Sequence, residues 1–354
     1  MNTSNKLLMG IAVMAISFNA QAYPGESIAL DPATGNYTIT YRGNSSSTEL
    51  SQTEFVPSTK IVPTIRSRFH MGERGTIIYR YTVSNGAGAK EGIVSVWLDQ
   101  IVNPVVGELP FPSPPNKTKA AYDAYDTALK FAIATPAGWR GNIYRFPSDN
   151  LNRIAWSPNS LSTGAIPAGR ILAGFSFSSL DLPGVGPARI GGVGGVMGFP
   201  DEGPLEDSAV FAELNRLRDN DFITRPAVVP MVSVPVPFNA AVLLDRIQTQ
   251  THTWIAMQLL DATFSSQLDR YLSAAADAYR HNQPKAGKEH IQTLRKMLKK
   301  EHEDADKDDD KEDGKHEGKS DDKNKRMQID RLAARVLDFD LKYVLKRMGG
   351  DKDD

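Results

Sequence analysis

Acidic side chains crowd residues 301–326 (EHEDADKDDDKEDGKHEGKSDDKNKR), the stretch best supplied with hard oxygen ligands. Asp306, Asp308, Asp310 and Glu317 fall at positions one, three, five and twelve of a calcium-loop template, and alternating carboxylates are what Ca2+ coordination uses. The template also needs glycine at position six for its sharp turn. Lys311 stands there and brings a positive charge into the loop. The stretch is therefore expected to be a disordered, solvated polyampholyte, because it holds almost nothing that could enter a core. Weak attraction of Ca2+ is compatible with that reading, and the sequence calls for no other cofactor.

Other chemistry is thinly supported. His281, His290, His302 and His316 lack the HExxH spacing that sets two imidazoles on one helix face, and His70 and His252 stand alone. Gly191-Gly192-Val193-Gly194-Gly195 has neither the GxGxxG spacing of a dinucleotide site nor a GK[ST] terminus. There is no GxSxG elbow, and cysteine is absent. Acid pairs for polysaccharide hydrolysis could come from many Asp and Glu residues, which spacing does not single out. Asp99 and Glu108 lie near a strand end, where sites often occur, although solvent-facing carboxylates are the plainer reading. Aromatic rings offer more. Trp97, Trp139 and Trp156, with Tyr79, Tyr81 and Tyr144, fall in strand-like text. Rings on an exposed strand face can stack on sugars, whereas core packing is the commoner fate. Trp139, in the turn Pro136-Ala137-Gly138-Trp139, is expected to be the most exposed.

The chain has 354 residues and a net charge of -1, so it lacks the Lys/Arg excess that nucleic-acid phosphates require. Lys6, the apolar run LLMGIAVMAISF from Leu7 to Phe18, and Ala20-Gln21-Ala22 have the three parts of a secretory signal. That run is too short to span a bilayer. A mature protein beginning near Tyr23, periplasmic or secreted, is expected. Without cysteine it cannot be acylated as a lipoprotein, stapled by disulfides or built on thiolate zinc. No later apolar run is long enough for a transmembrane helix.

Two grammars organise the rest. Residues 23–204 read as a β-sandwich domain. Ile77, Tyr79, Tyr81 and Val83 share one face of a strand, Asn85-Gly86-Ala87-Gly88 turns the chain, and residues 92–101 return as its partner. Further strands are expected at 36–41, 128–134, 152–156 and 170–178. Pro110–Pro115 reads as an exposed crossover, residues 118–127 as a short helix and the glycine-rich 184–203 as a loop. Residues 205–237 read as a loop, a short helix and a stiff proline-rich linker, PAVVPMVSVPVP. After Pro237 apolar residues recur at helical spacing over 241–260, 265–281, 285–300 and 329–345. That predicts an all-α bundle over 238–348, interrupted by the charged insertion and closed by a short tail.

Two stretches carry resemblances. Ile166-Pro167-Ala168-Gly169-Arg170-Ile171-Leu172-Ala173-Gly174-Phe175-Ser176-Phe177, with the Pro-x-Gly-Trp turn, resembles β-sandwich ectodomains of uncharacterised secreted bacterial proteins. The segment from Leu243-Leu244-Asp245-Arg246-Ile247 through Ile291, Leu294 and Leu298 is similar to the FIMAH-type helical module of secreted bacterial proteins and enzymes. Neither resemblance implies a catalytic residue. The expected role is a non-catalytic envelope or extracellular protein, its sandwich engaging a glycan or protein partner. A secreted polysaccharide hydrolase and a divalent-cation-binding envelope protein are the alternatives.

Overall fold

A computed structural model describes residues 23–43, 49–101, 133–146, 151–309 and 328–349. The expected signal segment, Glu108, the crossover at 110–115, the helix at 118–127, Asp310, Glu317 and the tail beyond Gly349 lie outside those residues. The described strands, in chain order, are β1 (Ser27–Leu30), β2 (Tyr37–Arg42), β3 (Leu50–Val56), β4 (Pro63–Met71), β5 (Ile77–Asn85), β6 (Ile93–Ile101) and β7 (Ile133–Ala134). They continue as β8 (Trp139–Phe146), β9 (Leu151–Pro158), β10 (Ile171–Ser179), β11 (Leu182–Gly192), β12 (Gly195–Val196) and β13 (Ile223–Val232). The longer helices are α1 (Ala209–Asp219), α2 (Ala240–Ala256), α3 (Ala262–Arg280), α4 (Pro284–Asp309) and α5 (Arg331–Arg347). The chain is thus mostly antiparallel sheet, with helices gathered in its C-terminal half. No described helix is long and apolar enough to cross a membrane.

The chain divides into two compact units, and the division is not at the proline-rich segment. The smaller unit joins the described residues up to Thr59 with Gly194–Asp221. Its sheet runs β1-β2-β3-β12, with Ile39, Tyr41 and Phe55 packed on Val210 and Leu214 of α1. Ser208 caps α1 by accepting from Phe211 N, as a serine at that position should. The Tyr41 hydroxyl donates to Asp201, as does Ser51. Burial, and then the neighbouring carboxylate, push the Tyr41 phenol above its ordinary range.

The larger unit takes Lys60–Val193 and the chain from Phe222 onward. One sheet runs β4-β5-β10-β7 and the other β13-β11-β6-β9-β8. The alternation read in β5 holds: Ile77, Tyr79, Tyr81 and Val83 are all buried. The hairpin expected from β5 to β6 does not form. β5 pairs with β4 and β10, whereas β6 joins the other sheet between β11 and β9. The physical reason lies in Asn85, whose buried amide donates to the Glu91 and Ile166 carbonyls and accepts from Val62 N. That side chain ties the connection down and sends it away from the strand it was expected to pair with.

Two further corrections concern glycine and proline. The glycine-rich stretch is, in its first half, β11, a strand flanked by β13 and β6. A Cβ on Gly184 would lie 2.7 Å from Met231 Cβ, and one on Gly186 would lie 2.9 Å from Val229 Cγ2. Small residues there make room for the side chains of β13. The supposed linker is largely β13 itself. It is an edge strand, where proline is tolerated. Its prolines also stand opposite prolines, Pro183 against Pro230 and Pro187 against Pro226. The missing N–H groups therefore share one parity of the ladder.

One hydrophobic core runs through this unit, so the helices are no separate domain. Tyr81, Trp156, Val185 and Val228 of the sheets belong to the same cluster as Leu244, Leu268, Leu294 and Leu341 of the helices. α5 packs on β11 and α2 on β13, and Phe339 of α5 meets Phe69 of β4 edge to face at 5.2 Å. The helices start at side-chain caps: Asn239 accepts from Val242 N, Asp261 from Thr263 N and Asp330 from Leu332 N. Asn282, in the expected turn before α4, takes a positive φ of 55°.

Candidate functional site

The five-stranded sheet positions a row of planar side chains across one face. Antiparallel register sets Trp97 of β6 directly opposite Arg189 of β11 and Ala155 of β9. Ala155 stands opposite Asn142 of β8, and Tyr144 follows two residues later on the same face. Directly opposed residues share a face, so a small alanine separates two large rings. Trp97 and Tyr144 stack across it, with centroids 5.2 Å apart and planes 18° from parallel. Asn142 Nδ2 donates to the Tyr144 hydroxyl at 3.3 Å. At the other end of the row the Arg189 guanidinium lies 4.5 Å over the Phe222 ring. Tyr144 is 39% exposed, and Trp97 is partly so.

A carboxylate organises the cations beside this row. Asp99 of β6, 3% exposed, pairs with Arg153 Nε at 3.0 Å and Arg189 Nε at 2.6 Å. A carboxylate taken out of water needs such compensation. In return it holds two guanidinium planes of otherwise flexible side chains at the edge of the aromatic row. This arrangement can bind and orient a ligand that has an apolar face and hydroxyl or carbonyl oxygens. The Asp99 oxygens are turned to the arginines, which suits a positioning group.

The three expected tryptophans are not brought together. Trp97 lies in the row. Trp156 is 0% exposed and packs against Tyr81, Phe175 and Phe177. Trp139, expected in an exposed turn, is only 5% exposed. Its turn does form, with Gly138 at a φ of 80° and Trp139 N bonded to the Pro136 carbonyl. The ring folds inward against Phe175 at 5.2 Å. Tyr79 and Tyr81 are likewise core residues, their hydroxyls donating to the Asp181 and Val228 carbonyls.

Of the four calcium-loop residues, Asp310 and Glu317 lie outside the described residues. Asp306 and Asp308 belong to α4, which runs to Asp309. Among the described residues, no three His, Asp or Glu side chains cluster closely enough to hold a metal ion. The residues that sequence reasoning missed are Asn142, Arg153, Arg189 and Phe222. Arg189 was hidden in text read as a loop, and only strand register could have set it beside Trp97.

No family model, curated protein or solved structure matches this chain. A function must therefore be argued from the site itself.

Proposed function

We propose that this is an exported, non-catalytic binding protein of the bacterial envelope or extracellular space that recognises a glycan on the outer face of its five-stranded sheet. In this reading its two larger sheets act as a β-sandwich recognition module and the helices brace it. Export rests on the signal-like residues 1–22. The observation that carries the ligand class is the Trp97–Tyr144 stack, set across Ala155 and flanked by Asn142, Arg153 and Arg189. A pyranose presents axial C–H groups on one face, which pack on an aromatic ring, while its hydroxyls need planar donors and acceptors at the rim. A platform on paired strands stays in place without ligand, so little ordering is needed on binding.

Retention of the mature protein on a panel of insoluble and soluble polysaccharides tests this. Trp97→Ala should weaken retention at least tenfold, the loss of about 1.4 kcal/mol, with Tyr144→Ala also weakening it. Trp139→Phe, an inward ring away from the row, should leave retention as it was. Retention unaffected by Trp97→Ala, or no retention on any glycan, would contradict the proposal.

A further inference from the structure

The larger unit also holds a cleft of about 1010 Å³ lined by α4, α5 and Phe69 of β4. Its charge is one-sided. Among the described residues, five cations line it (Arg295, Lys296 and Lys299 on α4, Arg335 and Lys342 on α5) with one acid, Asp338, and Lys299 is engaged elsewhere. That acid is already engaged: Arg295 Nε reaches Asp338 Oδ1 at 2.8 Å and Lys342 Nζ reaches Oδ2 at 2.8 Å. Lys296 and Arg335 are exposed at the lip, beyond what one carboxylate can neutralise.

The inner wall differs. Phe69 and Phe339, each partly exposed, meet edge to face, and the Arg335 guanidinium stands 5.6 Å over the Phe69 ring. An aromatic wall beneath a cationic lip is a poor match for a fully hydrated anion, which would leave the rings uncovered. It is equally poor for a neutral apolar molecule, which would leave Lys296 and Arg335 unanswered. The volume is at the upper end of the range of small-molecule sites.

We propose that this cleft binds a single amphiphilic anion, its acyl or aryl body lying on Phe69 and Phe339 and its carboxylate or phosphate held at the lip by Arg335 and Lys296. The charge imbalance selects the head group and the ring pair selects the body. Such a molecule could come as a free monomer or from a lipid surface, and the two sources are separable by experiment.

Calorimetric titration of the full mature chain at low salt, with laurate below its micellar concentration, provides the test. Laurate should bind, and dodecanol and inorganic phosphate should each bind at least tenfold more weakly. Raising the salt should weaken laurate binding, because exposed charges are screened. Arg335→Glu combined with Lys296→Glu should lower laurate affinity at least tenfold, while Arg335→Lys retains most of it. Far-UV circular dichroism and the unfolding midpoint establish that each variant is folded. Vesicles containing phosphatidylglycerol distinguish the sources, since binding to laurate with none to vesicles means a free monomer, and binding to both means lipid. Laurate affinity unchanged by the double charge reversal would overturn the proposal. So would phosphate binding as tightly as laurate, or a polyglutamate peptide doing so, the last result pointing to a peptide groove.

Discussion

Replacing Trp156 by alanine is expected to cost about 3–5 kcal/mol of folding stability, the range for deleting a large aromatic side chain from a packed core. The ring is wholly enclosed and, from its place on β9 in the five-stranded sheet, touches Tyr81 on β5 and Phe175 and Phe177 on β10, all three in the four-stranded sheet. The structure around such a cavity relaxes only partly, so lost transfer energy and lost contacts add. Against a typical total of about 5–15 kcal/mol, that is a large fraction. Denaturant unfolding monitored by circular dichroism should show the midpoint fall with little change in slope. Trp97→Ala should be far milder, forfeiting a stack on the order of 0.5–1.5 kcal/mol. Equal losses at the two positions would mean that Trp97 is a core residue, and the recognition face would lose its basis.

Asp340→Asn is expected to stabilise the protein at neutral pH. Asp340 lies on α5 at 2% exposure, and its Oδ1 has no hydrogen-bond partner. Burial alone pushes its carboxyl well above the usual range. An acid whose pKa is raised by folding must take up a proton to fold once the pH exceeds its unfolded value near 4. The cost is absent below that pH, grows as the pH rises toward the folded pKa, and then levels off. Asparagine places a carbonyl and a donor where the protonated acid has them, so it escapes the cost. The gain at pH 7 is limited by proton uptake to about 1.4 kcal/mol per pH unit above the unfolded value, so to about 4 kcal/mol at most, and should vanish below about pH 4. Asp338, two residues away, has the opposite sign. Burial raises its pKa, but hydrogen bonds and charge from Arg295 and Lys342 outweigh that and leave it lowered. Its contribution is present above the unfolded pKa and is lost as the pH falls through the folded one. Because both proteins retain Asp338, the difference between their pH–stability curves isolates Asp340. A difference that persists at pH 3 would contradict the assignment.

Much of the local structure was legible. Period-two burial marked β5, and three- and four-residue spacing marked the faces of α2 to α5. What failed was the grouping of elements. Gly184, Gly186, Pro226 and Pro230 carry loop signals when read one at a time. In the fold, the glycines make space for Met231 and Val229, and the prolines face one another across β11 and β13. Such information is pairwise and exists only once register is set. The same holds for the candidate site. Trp97 could be placed on a strand face, but nothing local tells it from Trp156, because each alternates with neighbours of mixed polarity. The distinction comes from Ala155, which lets Tyr144 reach Trp97, and from Arg189, which a glycine-rich context concealed.

The four tryptophans differ in their access to solvent, and acrylamide quenching of their fluorescence addresses the recognition face directly. Trp139, Trp156 and Trp254 are buried, so the quenchable emission should come from Trp97. It should disappear in Trp97→Phe and be protected by a glycan that the protein retains. Quenching that survives in Trp97→Phe, or that a retained glycan does not suppress, would contradict the placement of the binding face on this sheet.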